Sequence, residues 1–297
     1  MAHTHHSHED SNSRLLITIL LNVIITIAQI LGGIISGSLA LISDAIHNLS
    51  DSISVVFAWL AQFLGRKPRT VKSTFGYKRA EILAAFINSL ALIGISIYLV
   101  FEAVGRLMDP KVVDAGWMFW LGLLGLTANG ISVLILEREK NKSINIKAAY
   151  LHLLGDALTS VAVILGAFLI WTFQIYWADS VVTILISIYL FIYTLKLLKE
   201  SVTILMQMVP SELDIPEIKE RLLQIKELRN IHHVHVWNLT DTVIHFESHL
   251  TIEDDIRISE TEDLYNKVRK ILHDEFEIEH VTIQFEFGKS EREECEC

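Results

Sequence analysis

Cysteine is almost missing from this 297-residue chain: there are two, both in the terminal ECEC, so no disulfide framework staples the fold. Such a tail suits a reducing, cytosolic side. A secretory leader is missing too, because MAHTHHSHED lacks a positive start and a small-residue cleavage site. The apolar run after Arg14 is long enough to stay in a bilayer and reads as a true span. Charge is thin along most of the first two thirds. Apolar residues make up 51% of the chain, and the mean hydropathy of +0.41 excludes an ordinary soluble domain. The net charge of −10 is concentrated after Pro210, which predicts two parts of different character.

A membrane-spanning helix needs about 20 mostly apolar residues. Six stretches qualify: 15–36, 39–64, 81–107, 114–136, 147–171 and 177–199. The loops GRKPRTVKSTFGYKR (65–79) and EREKNKSINIK (137–147) are rich in Lys and Arg, whereas SGS (36–38) and TFQIY (172–176) have neither. Positive charge stays on the cytoplasmic side, so both termini are expected there, in a multi-pass protein of the cell (inner) membrane. The loop RLMDPKVVD (106–114) mixes Arg106 and Lys111 with two Asp and does not overturn the alternation.

Beyond Pro210 the periodicity changes. DIPEIKERLLQI has helical spacing, IHHVHVWNLT and TVIHFESHLTIE alternate, SETEDLYNKVRKILHDEF is helical, and HVTIQFEF alternates again. The order α-β-β-α-β predicts a small α+β ferredoxin-like cytoplasmic domain, with Ser259 and Glu262 as a capping box for its second helix. The expected organisation is a His-rich tail (1–13), a six-helix transmembrane domain (14–209), a cytoplasmic domain (210–288) and an acidic Cys-containing tail (289–297).

Two spans share a short echo, HNLSDSIS (47–54) and HLLGDALT (152–159), each with His followed by Asp four residues later. Four residues is one helical face, so His47 with Asp51 and His152 with Asp156 project as pairs. If the two helices pack side by side, two imidazoles and two carboxylates converge, a tetrahedral donor set suited to Zn²⁺ and tolerant of Cd²⁺ or Co²⁺. An uncompensated Asp at mid-bilayer costs at least about 2.5–3.5 kcal/mol, and a shared cation offsets it. Of 13 histidines only His47 and His152 fall in predicted spans. Asp44, one turn outward, reads either as a guide for ions or protons or as a polar contact, and Asn22 as a supporting hydrogen bonder or packing glue.

The stretches SLALISDAIHNLSDSIS, FGYKRAEILAAFINS, HLLGDALTS, HVHVW and HVTIQFE together resemble the cation diffusion facilitator family of zinc and divalent-metal transporters, over nearly the whole chain. The resemblance implies a homodimeric antiporter, not an enzyme, that exports a divalent metal from the cytoplasm in exchange for protons through His47, Asp51, His152 and Asp156. It also implies metal binding and dimerisation by the cytoplasmic domain, with ligands at His232, His249, His280 and Glu286. Strict alternation puts His233 and His235 on one face of their strand and His232 on the other, so the three cannot share one ion. The loop Gly65–Ala80 has no His, Cys, Asp or Glu, which argues against the extra metal site that some relatives hold there.

Other readings stay open at this point. His3, His5, His6 and His8 form a weak chelating tail or a plain polar terminus, and Cys295 with Cys297 a soft-metal pair or a solvated acidic end. A rival class is a haem-binding electron carrier with His47 and His152 as axial ligands, which leaves both Asp residues unexplained. A passive divalent cation channel is another. The expected partners are metal ions, protons, the lipid bilayer and a second copy of the chain, with no nucleic acid.

Overall fold

The computed structural model describes residues 23–65, 70–137 and 144–288. Asn22, the four tail histidines, Cys295 and Cys297 lie outside the described residues. Among the described residues six helices occupy the apolar region: α1 Val23–Ser36, α2 Leu39–Gly65, α3 Ala80–Met108, α4 Ala115–Glu137, α5 Ile144–Phe173 and α6 Trp177–Leu205. Among the described residues, α3, α6 and the segments Ala115–Ile135 and Tyr150–Phe173 are long and apolar enough to cross a bilayer. These elements fall where the apolar runs predict them. At its C-terminal end α6 continues to Leu205, past the predicted limit at 199, and its last turns bury Ser201 and Ile204.

The described residues divide into two compact units, one built from residues up to Trp59 with Ile87–Leu197, the other from Leu60–Phe86 with residues from Leu198 on. The first unit is inside out relative to a soluble protein. Phe101, Leu134, Leu158, Leu165, Leu185 and Ile192 point outward, while Gln29, Ser43, Asp44, His47, Asp156 and Ser160 are buried. Aliphatic surface around a polar interior is what hydrocarbon solvent selects, since exposed helix backbone there is already satisfied within each helix. An apolar core of Leu41, Val113, Met118, Val163, Ile170 and Leu190 fills the rest.

In the second unit the order is α7 Ile215–Leu222, β1 Leu228–Asn238, β2 Ile244–Ile252, α8 Ile258–Phe276 and β3 His280–Phe287. The sheet order is β1-β2-β3, with β1 antiparallel and β3 parallel to β2, so α8 is the crossover of a βαβ unit whose strands are neighbours. Ile218 and Leu222 of α7 and Leu264, Val268 and Leu272 of α8 pack on Phe246, Leu250 and Val236 of the sheet. The predicted α-β-β-α-β order and two-layer packing are present. The capping box is displaced: α8 starts at Ile258, and Glu260, not Glu262, returns its carboxylate to the N–H of Arg257 at 2.8 Å. Ser259 is therefore already inside the first turn. At the other end Glu277 adopts the left-handed conformation (φ 57°) without being glycine, and its N–H and that of Ile278 close onto the carbonyls of His273 and Leu272.

Candidate metal centres

On α2 and α5 the one-turn spacing delivers each His-Asp pair to a common point. His47 Nε2 lies 2.9 Å from Asp156 Oδ1 and 3.8 Å from Asp51 Oδ2, while His152 Nε2 lies 3.2 Å from Asp51 Oδ2 and 3.6 Å from Asp156 Oδ2. One ligand atom from each of the four residues fits within 4.8 Å of all the others. Metal–ligand bonds of about 2.0–2.2 Å in a tetrahedron require edges of about 3.3–3.6 Å, and the observed separations straddle that value. His47 and Asp156 side chains are sealed at 3% and 5% exposure, whereas His152 and Asp51 keep 32% and 36%. The open pair faces a cavity of 160 Å³ that Asn48, Ser52, Asn129 and Leu153 also line. At Gly155, beside Asp156, a Cβ would stand 2.6 Å from Tyr189 Oη, so any larger residue would push that tyrosine hydroxyl aside.

On the other side of His47 the interior is closed by polar contacts. Asp44 accepts hydrogen bonds from Thr159 Oγ1 at 2.7 Å, Gln29 Nε2 at 3.3 Å and Ser160 Oγ at 3.4 Å, and Asn48 Nδ2 donates to Gln29 Oε1 at 3.3 Å. Asp44 thus joins α1, α2 and α5. Sequence reasoning missed Asp179 at the start of α6. Its carboxylate caps α2 across the fold, accepting from Ser38 Oγ at 2.6 Å, Leu39 N at 2.9 Å and Ala40 N at 3.2 Å. The N-terminal N–H groups of a buried helix need such a partner, and the local sequence SGSLA supplies only the hydroxyls of Ser36 and Ser38, which accept from Ser38 N and Leu41 N. The available signal was an Asp inside a predicted span with no His beside it. Arg106, counted as a loop charge, donates to the Gly37 carbonyl of the same turn at 2.6 Å.

In the cytoplasmic unit the second candidate cluster sits on the sheet face opposite α7 and α8. His232 Nε2 is 3.2 Å from Glu286 Oε2, His249 Nδ1 is 2.9 Å from Glu286 Oε1, and His232 stands directly across from His249. These three gather a ligand set within 4.8 Å. His280 does not join them. It pairs with His245 at the far end of β3, ring stacked on ring at 4.7 Å, with Trp237 against the other side of His245 at 5.4 Å. Burial, reinforced by the positive charges of His280, Lys78 and Arg79, holds the His245 pKa below its ordinary value. The alternation predicted for IHHVHVW also breaks. A bulge places two residues, His233 and Val234, opposite the single Ser248, so His235 faces Glu247 on the same side as His232 and His249.

Apolar helices around inward-turned ionisable groups, joined to a small α+β domain, define a multi-pass membrane protein that handles ions. Comparison with known proteins gives the family. Residues 15–206 match "Cation efflux transmembrane domain" and residues 210–287 match "Cation efflux protein, cytoplasmic domain". The zinc transporter ZitB of Shigella flexneri is 39% identical over 306 residues, covering 99% of this chain and 96% of its own. The metal cation efflux system protein CzcD of Cupriavidus metallidurans is 37% identical, covering 97% and 90%. A "Cadmium, cobalt and zinc/H(+)-K(+) antiporter" of Bacillus subtilis is also 37% identical, covering 96% and 92%. The chain belongs to the cation diffusion facilitator family: it is a metal-efflux transporter and not an enzyme, which removes the haem-carrier reading.

Proposed function

We propose that this protein exports Zn²⁺, and Cd²⁺ or Co²⁺ less selectively, from the cytoplasm in exchange for protons, through His47, Asp51, His152 and Asp156. The observation that carries the reading is the convergence of those four donors at 2.9–3.8 Å, close to the edge lengths of a tetrahedral Zn²⁺ site. Names of relatives that include zinc transport and proton antiport support it. With both termini cytoplasmic, the 160 Å³ cavity opens toward the cytoplasm, since Asn48 and Ser52 follow His47 along α2 and Leu153 precedes Asp156 along α5. The Asp44 contacts seal the outward side, so this conformation is the one that loads metal.

Coupling follows from competition. Neutral imidazole ligates a metal and imidazolium does not, so metal entry releases protons and protons arriving from outside expel the metal once the helices rock. Segment 14–209 carries this cycle. Segment 210–288 binds cytosolic metal at His232, His249 and Glu286 and pairs two copies into a homodimer, while His280 stands outside that ligand set. The reading is tested with full-length protein in vesicles containing a pH dye. Zinc-driven proton flux is expected and is lost in Asp51→Ala and Asp156→Ala; flux retained in either variant rejects the site. Metal entry without proton movement identifies a passive channel.

A further inference from the structure

One tyrosine stands against both histidines of the intramembrane cluster. The second torsion of a histidine is soft, yet its ring nitrogen binds a metal only in the plane of the ring, so a liganding imidazole has to be held from outside. For His47 and His152 the carboxylate contacts all run through Nε2, the atom that a metal would take. The ring planes need another brace. Tyr193 of α6 supplies it: its ring stacks on His152 at 6.2 Å and 29°, and meets His47 edge to face at 6.5 Å and 80°. Both separations fall in the range of about 4.5–7 Å at which aromatic rings attract. One turn earlier Tyr189 stacks on Tyr193 at 6.5 Å and 19°, and its hydroxyl sits against Gly155 beside Asp156. Helix α6 thus adds an aromatic wall to donors that come from α2 and α5. The 160 Å³ cavity is lined from α1, α2, α4 and α5, so the wall and the open side of the site are built by different helices.

We infer that Tyr193 is a positioning and specificity-determining residue for transport: its ring fixes the planes of both liganding imidazoles and, with no lone pair to offer from its face, keeps further water ligands off that side of the ion. A four-coordinate ion of the Zn²⁺ type loses nothing by this, whereas Mn²⁺ seeks six oxygen-rich ligands. Selection is therefore by coordination number. The inference rests on the transport site proposed above. Full-length protein is loaded with Co²⁺, whose visible bands are strong in a tetrahedral site and weak in an octahedral one, and the intramembrane contribution is the part of the spectrum that Asp51→Ala removes. Ions on the cytoplasmic unit cancel in that difference. Tyr193→Leu and Tyr193→Met, apolar helix formers in a half-exposed position, are expected to weaken those bands, to lower the apparent Zn²⁺ affinity in vesicles about tenfold and to admit Mn²⁺ flux that the natural chain lacks. Tyr193→Phe keeps the ring and is expected to match the natural chain. Natural bands with an unchanged preference for Zn²⁺ over Mn²⁺ in both Tyr193→Leu and Tyr193→Met overturn the inference. So does a Tyr193→Phe variant as altered as those two, because the hydroxyl and not the ring plane would then be acting. If Asp51→Ala removes no part of the spectrum, the transport-site reading itself falls and takes the inference with it.

Discussion

Asp179→Asn isolates the cross-helix cap on α2. In the natural chain Oδ1 accepts from Ser38 Oγ and Ala40 N, and Oδ2 accepts from Leu39 N. Asparagine keeps one acceptor but sets an NH₂ group against an N–H that has no other partner in this buried turn. The lost charge-assisted hydrogen bond is worth about 1.5–3 kcal/mol. The lost anion at the positive end of the helix adds about 0.3–2 kcal/mol. A total of about 2–5 kcal/mol corresponds to a fall in Tm of about 4–20 °C for a unit of this size. The assay is thermal unfolding of the metal-free full chain in detergent, followed by far-UV circular dichroism. Because the contact is buried, the loss should persist at 1 M salt, about where surface electrostatics is screened to within roughly 3 Å. A decrease below about 2 °C in both Asp179→Asn and Asp179→Ala would refute the reasoning, showing that the α2 N-terminus finds other partners. Metal transport should also slow, because α2 carries His47 and Asp51 and the cap fixes its N-terminal end about 12 Å from His47.

Two further predictions concern the cytoplasmic unit. Glu277→Gly relieves a left-handed residue at the end of α8, and after the added flexibility of the unfolded chain it should stabilise the unit by about 0.5–1 kcal/mol, read as a rise in midpoint in a urea titration. His245, whose pKa is depressed by burial and by its cationic neighbours, should titrate below about 6.5 in a histidine NMR experiment. The sign follows: above that pH the folded and unfolded states are both neutral and nothing is lost. As pH falls below it, the unfolded chain takes up a proton that folded His245 refuses, and stability declines until the folded pKa is reached. His245→Gln should remove that acid-side decline; an unchanged pH profile would place the sensitivity elsewhere.

The transmembrane part was legible because its signals are local. The six apolar runs correspond to six helices among the described residues, and the i, i+4 rule put His47 with Asp51 and His152 with Asp156 without any knowledge of tertiary packing. What local reasoning cannot see is a partner far along the chain. Asp179 caps a helix that begins 140 residues earlier; an Asp within a predicted span marks it as unusual, but nothing in WADSVV names its partner. Asp44 was equally ambiguous from sequence, and only Gln29, Thr159 and Ser160 converging on it from two other helices decide for a structural polar contact in this conformation.

The histidines of the sheet were misread for a different reason. Face assignment in a strand depends on counting by two, and one inserted residue reverses every assignment beyond it. Starting from His232 on the open face, an unbroken β1 would turn Val236 outward and drive His235 and Trp237 into the helix-packed layer. The observed strand instead buries Ile231 and Val236 together, both in the core. These two lie five positions apart, an odd number, so no regular strand can bury both. That parity conflict is visible in IHHVHV and marks where the extra residue must fall. Hydrophobic burial fixes the bulge, and the bulge in turn assembles His232, His233 and His235 on one surface beside His249.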